Sequence, residues 1–171
     1  IDRQFGRILQ AIEAIGEKEN TIVVYSADHG EMMGSHGLMH KTVPYDEAFL
    51  IPLLIRYPKC LKSKVDDRLI SMPDIMPTLL GLAGLQEDIP EDIDGLDFSK
   101  SLMRGLVTEK HTDKRSSALY MAKGKRGIRT EEYTFVISDD DGQPIVSHLF
   151  DNKNDPYQMN LLSFKEFDQA L

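Results

Sequence analysis

The order of apolar periods along the chain predicts an α/β fold: part of a doubly wound, mostly parallel sheet, followed by a small α+β C-terminal subdomain with an antiparallel sheet and a terminal helix. Three observations carry this. A helical stripe from Ile1 to Gly16 leads straight into a β-branched run at Thr21 to Tyr25, the helix-then-strand order of a βαβ unit. A second uninterrupted apolar run follows at Leu53 to Tyr57. From about Lys110 the helical period gives way to short strand-like runs. The expected division is therefore residues 1–109 for the larger α/β part and 110–171 for the antiparallel subdomain.

The first element is a helix because Phe5, Ile8, Leu9, Ile12 and Ile15 recur at steps of three and four, with Arg3, Gln4, Arg7, Gln10 and Glu13 on the other face. Gly16 suits its C-terminal cap. The helix is scaffold, and a βαβ unit places the preceding strand upstream of Ile1. Thr21-Ile22-Val23-Val24-Tyr25, bounded by Asn20 and Ser26, is predicted to be a buried parallel strand. Ligands in open α/β sheets bind beyond the carboxyl ends of strands, and Asp28, His29 and Gly30 stand there. A carboxylate beside an imidazole can share a cation or flank an anion. Each has a plainer role as well, Asp28 as a helix cap and His29 as a hydrogen-bonded loop residue. Gly30 is expected to turn the chain through a positive φ. Beyond it, Gly34 and Gly37 keep the loop tight while His36, His40 and Lys41 bring nitrogen donors back.

Thr42 to Pro52 is expected to be a short amphipathic connector into a second strand at Leu53 to Tyr57, with Asp46 and Glu47 structural. Lys59, Lys62 and Lys64 then form a solvated basic turn. Leu69-Ile70 begins as a short strand and passes into a helix whose start suits Ser71 and Pro73. Its buried face is expected to hold Ile75, Leu79, Leu80 and Leu82, its end Gly84, and Asp74 is read as a cap or packing residue. The acidic stretch Gln86 to Asp97 lacks the spacing of an EF-hand and is read as a surface turn. Strands are predicted at Ala118–Ala122, Gly127–Thr130, Tyr133–Ile137 and Ile145–Phe150, with a hairpin signal at Asp139 to Gly142 and a closing helix from Phe164. Lys110, Lys114, Arg115, Lys123, Lys125, Arg126 and Arg129 form a local basic patch that could attract a sulfated polymer; alternatively Arg126 and Arg129 pair with the acidic turns.

The composition of the 171 residues, 41% hydrophobic and 28% charged, is enough for one ordinary domain with an appendage. A formal net charge of −8 argues against nucleic acid or an anionic membrane as a general partner. No run of apolar residues is long enough to span a bilayer. The single cysteine, Cys60, makes no internal disulfide and leaves the redox compartment open.

Asp28-His29-Gly30, Gly34-x-His36-Gly37 and Lys41, thirteen residues after Asp28, resemble the second metal-and-anion motif of the sulfatases, in the alkaline-phosphatase superfamily. Three further stretches carry the same likeness. They are Tyr45, Asp46, Glu47 and Pro52 before a strand, Asp74-Ile75-Met76-Pro77-Thr78-Leu79-Leu80, and Leu149-Phe150-Asp151 with Asp155-Pro156 and Asn160-Leu161. The resemblance implies a sulfuric ester hydrolase in which Asp28 and His29 are metal ligands, Lys41 contacts the sulfate, and His36 joins it as a catalytic residue. It also implies a divalent metal, calcium by family, although imidazole is a softer donor better suited to zinc or manganese. Such chemistry needs these groups, because a tetrahedral anion must be neutralised while charge builds on the leaving oxygen.

The family nucleophile is a formylglycine made from the Cys or Ser of a Cys/Ser-x-Pro-x-Arg motif. Cys60, in Pro58-Lys59-Cys60-Leu61-Lys62, lacks the Pro and Arg at the needed offsets. The chain is therefore expected to be the C-terminal portion of such an enzyme, inactive alone, with the nucleophile upstream. Implied partners are a sulfated small molecule or glycan, the remainder of the catalytic domain, and further copies of the chain through surfaces meant to face that remainder. By resemblance the compartment is periplasmic, extracellular or lysosomal. Two alternatives stand beside this reading: a phosphonate or phosphate monoester hydrolase of the same superfamily, and a noncatalytic anion-binding module.

Overall fold

The computed structural model describes residues 1–104, 116–122, 124–140 and 143–163. The predicted terminal helix from Phe164 lies outside them, as do Lys110, Lys114, Arg115 and Lys123. The chain forms two compact units: Ile1–Ser26 with Leu53–Asp67 and Met72–Asp113, and Ala27–Pro52 with Arg68–Ser71 and Lys114–Leu171.

In the first unit, helix α1 spans Asp2–Ala14. Phe5, Leu9 and Ile12 are half-buried, and Phe5 meets Tyr25 edge-on at 5.6 Å, while Ile8 and Ile15 stay exposed. Gly16, at φ 78°, ends the helix: its N–H and that of Glu17 return to the carbonyls of Glu13 and Ile12, satisfying two otherwise orphaned acceptors. Strands β1 (Val23–Ser26) and β2 (Leu53–Arg56) pair antiparallel, Val23 opposite Arg56 and Ser26 opposite Leu53. The expectation of a buried parallel strand at Thr21 to Tyr25 is corrected to that extent. The 27–52 connection folds back on itself, Gly30 and Glu31 N–H groups bonding the Ala48 and Glu47 carbonyls, instead of laying a long crossover helix on the sheet, so β2 returns antiparallel to β1.

Of the face expected to be buried on helix α3 (Met72–Ala83), Leu82 is buried while Ile75, Leu79 and Leu80 are only half-buried. Asp74, Pro77, Thr78, Gly81 and Leu82 are its buried residues. The cause is the chain that follows. The Asp74 carboxylate accepts from the Leu96 N–H at 2.8 Å, and Thr78 Oγ1 accepts from the Phe98 N–H at 3.1 Å. A side chain at Gly81 would strike Ser99 Oγ at 2.2 Å. The acidic stretch is thus partly a lacing for α3 and for helix α4 (Ser99–Arg104), with Phe98 fully buried beneath it. Burying such a ring stabilises a fold by about 1.5–3 kcal/mol. Asp74 is a packing residue, as its sequence context suggests. Leu69-Ile70 lies outside any strand, too short a run to hold a ladder by itself.

In the second unit, strands β3 (Ala118–Ala122), β4 (Lys125–Arg129), β5 (Tyr133–Asp140) and β6 (Gln143–Asp151) form an antiparallel sheet in sequence order. Gly127 is required inside β4, since a Cβ there would lie 2.2 Å from the Phe135 carbonyl oxygen. Val136, Leu149, Phe150 and Tyr120 are buried. The turn after β6 is held by Asp151, which accepts from the Lys153 and Asn154 N–H groups at 3.0 and 2.9 Å. Asp155 does the same for Asn160 at 2.6 Å, and this accounts physically for the Asp and Asn spacing of the closing motif.

Candidate active site

β1 delivers the chain to Ala27, and from there a loop runs to Pro52 carrying every residue that the sequence singles out. Its return is helix α2 (Asp46–Phe49). The outgoing and returning arms are joined by main-chain bonds, Gly30 N–H to Ala48 O and Glu31 N–H to Glu47 O, both 2.9 Å. Gly30 is a glycine for that reason. A Cβ would stand 2.0 Å from the Glu47 carbonyl oxygen, and Gly30 is not among the residues with positive φ. The expected left-handed turn at Gly30 is therefore corrected to a close approach of two backbones. The sharp turns fall further on, at Met33, Gly34, His36, Gly37 and His40, with φ between 48° and 101°. Three of these five are not glycine, which concentrates backbone strain in one loop.

Asp28, His29 and Lys41 come together. The His29 N–H binds Asp28 Oδ1 at 3.0 Å, and His29 Nδ1 lies 2.6 Å from the Gly30 carbonyl. A carbonyl only accepts, so Nδ1 carries the proton, and in the neutral ring Nε2 offers its lone pair. That lone pair faces Asp28 Oδ2 at 3.4 Å and accepts from Lys41 Nζ at 2.5 Å. His29 Nε2 thus stands between the Asp28 carboxylate and the Lys41 ammonium, and a carboxylate oxygen beside an imidazole nitrogen is an arrangement a shared cation would satisfy. The Asp28 side chain is 86% exposed and that of His29 35%, so ligand and solvent can reach both. As a donor set, one carboxylate oxygen and one imidazole nitrogen fit a portion of a divalent site. Among the described residues no three His, Cys, Asp or Glu side chains converge as a metal centre.

His36 sits otherwise. Its ring stacks on Tyr45 at 4.1 Å and 20°, and Nε2 lies 3.6 Å from Glu47 Oε1, with 10% of the side chain exposed. Tyr45 in turn touches His148 and Phe150 of β6. Burial and then Lys125 lower the pKa of His148.

One feature escapes the sequence. Asp46 is the centre of a polar network: Tyr120 Oη donates to Oδ1 at 2.6 Å, Arg129 Nη2 to Oδ2 at 2.9 Å, and Gln158 Oε1 accepts from the Asp46 N–H at 2.7 Å. The Arg129 and Asp46 side chains are 16% and 15% exposed. Burial, reinforced by the Asp46 carboxylate, pushes the Tyr120 phenol far above its usual range. Burial opposes the Arg129 charge, but Asp46 outweighs it and the pKa rises. Arg129 is thus paired, but with Asp46 at the start of α2 and not with an acidic turn. The Tyr45-Asp46-Glu47 motif hints at a structural role for Asp46, but nothing in the sequence marks Gln158 as its partner.

Architecture and site define an α/β protein of the sulfatase and alkaline-phosphatase type, with the antiparallel subdomain appended. The Sulfatase family model matches residues 1–85, which include Asp28, His29, His36 and Lys41. The chain belongs to the sulfatase family. An endo-4-O-sulfatase of Bacteroides thetaiotaomicron is 38% identical over 97% of this chain and 36% of its own length. A structure solved in a study of glycosaminoglycan metabolism by the same bacterium superposes with a TM-score of 0.90 at 37% identity, covering 99% of this chain and 38% of that one. The phosphonate monoester hydrolase of Agrobacterium radiobacter superposes with a TM-score of 0.79 at 26% identity, covering 99% of this chain and 36% of that one. The chain spans about a third of the length of the curated relatives it matches.

Proposed function

We propose that this chain carries the cation-holding and sulfate-contacting portion of the active site of a sulfuric ester hydrolase acting on a sulfated carbohydrate. The observation that carries the reading is the convergence of Asp28, His29 Nε2 and Lys41 Nζ in one loop. Asp28 and His29 would hold a divalent cation, calcium by family, and His29 is prepared for this by the bond from Nδ1 to the Gly30 carbonyl, which orients the ring and fixes its tautomer. When bound, the cation supplies charge neutralisation, and the formylglycine expected upstream supplies the nucleophile. Calcium takes about six to eight ligands, so the remaining donors belong to the rest of the enzyme.

Lys41 places a compact positive charge on a nonbridging sulfate oxygen. His36, stacked on Tyr45 and beside Glu47, is the further candidate catalytic residue of the same loop. The domain division at about residue 110 belongs to this reading: residues 1–109 build the catalytic domain and the rest supports it. The names of the relatives favour a glycan substrate, and one of them is an endo-4-O-sulfatase. Likeness to a phosphonate monoester hydrolase supports a second reading in which the same loop serves a phosphorus ester. Turnover of aryl sulfate, aryl phosphate and aryl phosphonate by the full-length protein with calcium separates them. The proposal predicts sulfate as the fastest; faster phosphonate turnover would transfer the assignment to the second reading.

A further inference from the structure

We infer that Arg129, acting through Asp46, is a positioning residue for the Asp28–His29–Lys41 cluster. The inference rests on the site reading above and adds what holds that site in place. The connection is continuous and every link is short. The Arg129 guanidinium clasps the Asp46 carboxylate through Nε at 3.1 and 3.2 Å and Nη2 at 2.9 Å. Tyr120 Oη and Gln158 bind the same residue, the latter at its main-chain N–H as well as its carboxylate. Asp46 opens α2, and the next two residues, Glu47 and Ala48, offer the carbonyls that fix Glu31 and Gly30. The Gly30 carbonyl then fixes His29 Nδ1, and so the direction of the Nε2 lone pair.

A planar fork on β4 thereby sets the register of the loop three hydrogen-bonded steps from the imidazole. The contact at Gly30 leaves no slack in the middle of this route, since a Cβ there would meet Glu47 O at 2.0 Å. Three side chains, Tyr120, Arg129 and Gln158, converge on this one carboxylate.

The test uses the full-length protein and calcium alone as probe, by titration calorimetry, with Arg129→Lys as the principal variant. Lysine keeps the charge but cannot fork. The expected result is a calcium half-saturation about tenfold higher, within the range seen when outer partners of metal ligands are changed. The melting temperature of the calcium-free protein should move little, and the KM for aryl sulfate should rise with it. Tyr120→Phe, which removes a single hydroxyl, should give a smaller shift in the same direction. Asp28→Ala serves as the reference. If it abolishes calcium binding while Arg129→Lys and Tyr120→Phe titrate as wild type, the network is structural only and the inference is overturned. If Asp28→Ala itself binds calcium normally, the site reading fails and takes the inference with it.

Discussion

At the scale of single residues, two glycines show how the same letter answers different demands. Gly16 is needed for its φ of 78°, with open space around it, whereas Gly30 is needed for space alone. Gly16→Ala should therefore cost about 1 kcal/mol, a left-handed penalty with no steric component, seen as a lower urea midpoint at unchanged slope. Gly30→Ala must push the two loop arms apart and should cost about 3 kcal/mol or more, while also weakening calcium binding. Equal effects of the two substitutions would contradict this division. His148 gives a pH dependence. Its pKa is lowered from 6.5 by burial and then by Lys125, so the unfolded chain binds the proton more readily. Stability falls as pH drops below about 6.5 and levels off below the folded-state pKa. His148→Phe, set beside Tyr45 and Phe150, should remove this contribution to the acid sensitivity; chemical denaturation at pH 7.5 and 5 measures it.

At the scale of elements, much is legible in the sequence and the failures share one cause. β3 matches its predicted bounds because Ala118 to Ala122 is a short apolar run centred on Tyr120 between polar stretches. α1 and its Gly16 cap follow from a clear period and a clear stop. The buried face of α3 is legible only at Leu82, because periodicity counts leucines, whereas Asp74 and Thr78 are buried by hydrogen bonds to a segment some twenty residues on. The pairing direction of β1 is hidden because a run of apolar residues reveals burial and not its partner. The reason for Gly30 is hidden as well, because close approach depends on Glu47, seventeen residues away. Local patterns show elements; contacts between distant segments decide which face and which partner.

At the scale of the whole molecule, the loop from Ala27 to Pro52 holds the candidate site residues and the sheet from β3 to β6 anchors it through Asp46, both within one compact unit. Asp28, His29 and Lys41 are legible as a group because their spacing follows a strand, and they do converge. The role of Arg129 is not, because a guanidinium on a strand says nothing about which carboxylate it meets. The measurement that bears most directly on the central claim is aryl-sulfate hydrolysis by the full-length protein with calcium, beside Asp28→Ala and Lys41→Ala. The account predicts loss of at least about a hundredfold in kcat/KM for each, with the fold intact by circular dichroism. Turnover unchanged in both folded variants would contradict it, and would remove this loop from the active site.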